Sequence, residues 1–152
     1  MPVFRVARGV LITVLAGFIA LQFLRPDRTN PASTPAASLT ARTPSQITAI
    51  LDRSCRDCHS NETRWPWYTN VSPMSWLVAN HVRHGRDHFN YSEWTAYPAD
   101  DQDKFLGAMC DLTRRERMPL PSYRLIHWGA GLSPADVGAI CAWSDKMRDT
   151  LQ

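Results

Sequence analysis

The sequence lacks the alternating strand and helix patterns of a βαβ unit, which removes the usual setting of a thioredoxin-like cysteine pair. It also lacks an excess of charge in its folded part. Arg5, Arg8, Arg25, Arg28 and Arg42 precede residue 43 against Asp27 alone, and from residue 43 onward 12 Lys/Arg stand against 13 Asp/Glu. A near-neutral domain carries no electrostatic footprint for nucleic acid. Cysteine is sparse, four in 152 residues, and zinc needs two more ligands than one C-x-x-C supplies. His81 and His84 would have to complete such a site across a gap longer than a zinc finger uses. The length leaves room for one domain and little more.

What is present centres on Cys55-Arg56-Asp57-Cys58-His59. This is C-x-x-C-H, the attachment signature of a c-type haem. Two thiols two residues apart on a tight helical turn reach one porphyrin edge, and the histidine that follows is carried under the ring as proximal iron ligand. Two buried structural cysteines would not call for His59. The cofactor expected is one haem c, covalently attached. Six tryptophans, four tyrosines and 11 prolines suit a many-turned chain that walls in a flat apolar group.

The N-terminal residues 1–28 read as a membrane segment. Arg5 and Arg8 precede an apolar run from Gly9 to Leu24 that is broken only by Thr13 and Gln22, and Arg25-Pro26 closes it. The run is near the short end of a span. No small-x-small cleavage site follows and no cysteine stands where a lipoprotein signal needs one, so an uncleaved signal-anchor is expected. A cleaved signal peptide is the other reading, and either sends the remainder across the membrane. Residues 29–42, rich in Pro, Ala, Ser and Thr, read as a flexible tether. Residues 43–152 would be the haem domain.

That domain reads as all-α. Thr43-Pro44-Ser45-Gln46 has the form of a helix start, and Ile47, Ile50 and Leu51 then share a face leading into Cys55. Residues 60–72 read as an irregular loop whose Trp65, Trp67 and Tyr68 pack on the haem edge, with Arg64 either paired to a propionate or at the surface. A helix from Ser72-Pro73 to His84 would end at Gly85, with Trp76 in the haem pocket and Leu77, His81 and His84 on one face. A third helix spans Asp100 to Arg115. Met118, in Met118-Pro119-Leu120-Pro121, is a soft neutral thioether held by prolines. It is the expected distal ligand, with His81 and His84 as alternatives. Ser133-Pro134-Ala135-Asp136 opens a last helix. Cys110 and Cys141 lie on apolar helix faces, and their pairing depends on a distance the sequence does not give.

These stretches resemble the bacterial haem-binding domain proteins with a cytochrome c-like fold. The likeness rests on Cys55 to Thr63, Pro66-Trp67-Tyr68, Pro73-Met74-Ser75-Trp76, His81 to Arg86, Asn90 to Trp94, Met118-Pro119, Tyr123 and Leu132-Ser133, together with Gln22 to Pro26. It implies covalent haem and an envelope location, and names no reaction. The expectation is therefore a single-pass protein of the bacterial inner membrane, its haem domain in the periplasm, transferring electrons between envelope redox partners as a carrier and not an enzyme. A haem-based sensor, a peroxidase-type enzyme and a zinc module are the rival readings.

Overall fold

In the computed structural model, which describes residues 2–151, the chain begins with α1 (Pro2–Leu21). Its residues Val3–Leu21 form the one described helix long and apolar enough to cross a membrane. Twenty helical residues span about 30 Å, the thickness of a bilayer's hydrocarbon core. Arg5 and Arg8 lie inside this helix and not ahead of it. Met1 and Gln152, the outermost residues of the expected anchor and haem domain, lie outside the described residues.

The globular part is built from α2 (Ser45–Ser54), α3 (Arg56–His59), α4 (Met74–His88), α5 (Ala99–Arg114), α6 (Pro121–Arg124) and α7 (Pro134–Asp149), joined by short 3-10 turns. No strand occurs among the described residues, so the all-α expectation holds. α5 and α7 form the main pair, and α7 also reaches α2. Leu51, Leu106 and Ile140 are fully buried where these helices meet, with Ile47, Ile50, Tyr91, Trp94 and Trp143 around them. Cys110 on α5 and Cys141 on α7 form a disulfide across the pair. Two turns further along, Arg148 Nε donates to Asp103 Oδ1 at 2.8 Å.

Residues 29–42 are not the free tether the composition suggests. They wind into 3-10 turns at Pro35–Ala37 and Leu39–Arg42, packed on the Tyr91–Ala96 turn. Leu39 is 0 % exposed and joins the core. A single leucine in a polar stretch is easily overlooked, yet full burial of one such side chain is worth about 1.5–3 kcal/mol. Gly85 also departs from expectation. It does not end α4, which runs on to His88. A Cβ built on it would lie 2.3 Å from the Cys58 carbonyl oxygen, so glycine is there to let α4 approach the cysteine motif. The same closeness explains the buried face of α4, which is Ser75, Ala79 and Val82 and not Leu77, His81 and His84.

Candidate functional site

α2 ends at Ser54, and the chain turns at once into α3, where the Cys58 and His59 N–H groups both donate to the Cys55 carbonyl. This turn puts Cys55 and His59 on the wall of a cavity of about 470 Å³, within the range of ligand pockets. Leu51, Phe89, Phe105, Met109, Leu112 and Met118 supply most of the apolar lining. Phe105, Met109 and Leu112 recur at helical spacing along α5, and Phe89 stacks near Phe105 with ring centroids 5.0 Å apart.

His59 is held in one orientation. Its Nδ1 lies 2.9 Å from the Phe89 carbonyl oxygen. A carbonyl only accepts, so Nδ1 carries the proton and Nε2 keeps its lone pair. Burial pushes the imidazole below its ordinary pKa, which keeps it neutral. A neutral imidazole fixed by a carbonyl on one nitrogen has the form of a metal ligand on the other.

Met118 reaches the same cavity through the way α5 ends. Glu116 has φ +53°, its N–H donates to the Thr113 carbonyl, and the next N–H, of Arg117, reaches back to Leu112. That is the hydrogen-bond pattern of a Schellman cap, with glutamate where glycine is usual. The cap reverses the chain and sets Met118 against the cavity.

The two cysteines are free. Burial pushes the Cys55 thiol up to about 12 and the Cys58 thiol, with the Asp57 carboxylate beside it, up to about 11. A reactive redox pair needs a ready thiolate, and burial disfavours one at either position. Moreover, no group of three or more His, Cys, Asp or Glu side chains suited to a metal ion occurs among the described residues. The zinc module therefore has no ligand set.

A family model described as a haem-binding domain matches residues 16–146. The chain belongs to that haem-binding domain family. No curated protein and no solved structure matches it. A haem-binding domain needs an apolar slot with an iron ligand, and the cavity beside His59 fits that need. Two further observations support the fit. Ser54 and Tyr91 line the cavity, and their buried hydroxyls have no partner in the protein. A carboxylate-bearing group lodged there would give them acceptors.

Several residues expected in the pocket of this haem-binding domain stand elsewhere. His81 lines a separate small cavity of about 50 Å³ with Cys58 and Tyr68, and His84 is exposed. Neither shares a wall with His59. Trp65 donates to Asn30, Trp67 is 77 % exposed, Tyr68 pairs with His127 Nε2 at 2.9 Å, and Trp76 donates to the Leu24 carbonyl. None of the four lines the larger cavity: Trp65, Trp67 and Tyr68 sit on a loop that packs on α4, and Trp76, within α4, is turned to the Leu24 carbonyl. The aromatic wall is instead Phe89, Tyr91 and Phe105. Arg64 pairs with Asp57 at 3.0 Å, which leaves no reason to assign it a propionate. His88 at the end of α4 does line the cavity. A helix read as ending at His84 leaves His88 outside it, and the four residues by which α4 continues bring it to the cavity.

Proposed function

We propose that this is a membrane-anchored mono-haem c-type cytochrome that carries electrons in the cell envelope. The observation that carries the reading is the shared cavity of Cys55, His59 and Met118, with His59 presenting a lone-pair nitrogen. Cys55 and Cys58 would hold the haem through thioether bonds, and His59 Nε2 and the Met118 sulfur would be its iron ligands. The iron contributes the one-electron ferric–ferrous couple.

The chain's own residues then set how easily the electron moves. The Phe89 carbonyl, by holding the Nδ1 proton, strengthens His59 as a donor. A methionine and a histidine as the two iron ligands would raise the potential above that of a two-histidine pair. Phe105, Met109 and Leu112, which line the cavity, would keep water from a haem lodged there and so disfavour the extra ferric charge. Carriage also asks that the sixth position stay filled, and an apolar wall with a tethered thioether serves that. Carbon monoxide added to the reduced protein at neutral pH checks it. An unchanged visible spectrum is expected, whereas rapid binding would favour the sensor reading. For a peroxidase-type enzyme, an acid–base residue beside the open face is needed, and among the described residues His88 is the lining imidazole other than His59.

A further inference from the structure

Three exposed tryptophans remain without a task. Trp67 and Trp128 are 77 % and 91 % exposed, and Trp76 is about half so. Leu77, Leu125 and Ile126 are exposed beside them. These six form one face. Tyr68, next to Trp67, is bonded to His127, next to Trp128, while Leu77 and Ile126 line the same small cavity. Apolar patches of this kind on a folded domain mark contact surfaces.

The end of α1 is fastened to this face. Gln22 Oε1 accepts from the Ser72 N–H at 2.9 Å, and Ser72 Oγ donates to the Leu21 carbonyl at 3.1 Å. Trp76 Nε1 donates to the Leu24 carbonyl at 3.0 Å. Arg28 Nη1 donates to the Thr69 carbonyl at 2.8 Å. Wherever the C-terminal end of α1 leaves a bilayer, this face is brought to the same level.

We propose that the face rests in the membrane–water interface of the bilayer that α1 enters, with the lipid headgroup and upper acyl region as its partner. Tryptophan is the side chain best suited to that zone, with an apolar body and one polar edge. The N–H groups of Trp76 and Trp128 are already satisfied, the latter by the Leu125 carbonyl at 2.9 Å, so lipid contact strands neither donor. The domain would then be held at a fixed height and not swing on a tether. Asp57 and Cys58 line the small cavity under this face, so that side of the α3 turn would lie toward the membrane, and the cavity beside His59 is a separate one. The inference rests on the reading of α1 as an anchor.

The test uses the full haem-loaded chain in phosphatidylcholine vesicles that contain a phosphatidylcholine with a photoactivatable diazirine near its glycerol. After illumination, labelled peptides are mapped by mass spectrometry. Label is expected in α1, in residues 67–77 and in residues 125–128, with α7 at background. A W67S/W128S variant with an unchanged visible spectrum should lose the label outside α1 and keep it within α1. Label in α1 alone in the parent chain would overturn the interfacial face while leaving the anchor standing. No label in α1 would overturn the anchor reading, and this proposal with it.

Discussion

In the proposed reading His59 and Met118 bear most of the chemistry, and they are fixed by different means. His59 is oriented by a hydrogen bond to Phe89 from the end of a neighbouring helix. Met118 is placed by a backbone reversal in which its N–H donates to the Leu112 carbonyl, and its thioether is held by packing. Met118→Ala should therefore leave the fold and the haem in place while removing the methionine–ferric charge-transfer band from the oxidised spectrum. A band that persists in the variant would move the ligand to Met109, whose thioether lines the same wall. An imidazole-type spectrum in both the parent and the variant would point to His88. That Cys55, His59 and Met118 line one cavity agrees with the spacing and chemistry that singled them out. The tryptophans were not legible in this way, because an aromatic residue near a haem motif in sequence says nothing about which side of a helix its loop folds to.

Among the elements, the close contact of α4 with the attachment turn matters most. Gly85→Ala would push a methyl group into the Cys58 backbone, and overpacking against main chain costs about 1–3 kcal/mol. The expected result is a lower urea midpoint and a reduced haem content per chain. Equal stability and full haem content would show that the two backbones can part without loss. Helix ends were legible where side chains do the capping. Ser133 and Asp136 form the full capping box at α7 that their spacing implies. Thr43 was misread for the opposite reason. Its hydroxyl turns back to the Thr40 carbonyl, because residues 38–43 have their own 3-10 structure to satisfy, and α2 begins without a side-chain cap.

The whole molecule is held by a small core, one covalent link and a docked leader. The Cys110–Cys141 bridge closes a separation of 31 residues, for which chain-entropy arguments give about 3–4 kcal/mol. A C110S/C141S variant should unfold at markedly lower urea but keep the haem spectrum, since neither residue has a role at the iron. Loss of haem from that variant under native conditions would mean that α5 and α7 need the bridge merely to form the cavity. Long-range docking was the part of the fold least visible in sequence. Arg86 donates to the carbonyls of Ser60 and Thr29 and to Asn30 and Thr63. It ties the leader to the haem motif, and no local pattern announces such a clamp.

The account stands on a haem bonded to Cys55 and Cys58 and liganded by His59. Its most direct measurement is the intact mass of the purified chain after extraction with acidified acetone. A polypeptide heavier by one haem, with the colour left in the precipitate, is the predicted result. A bare polypeptide mass with a red supernatant would contradict it.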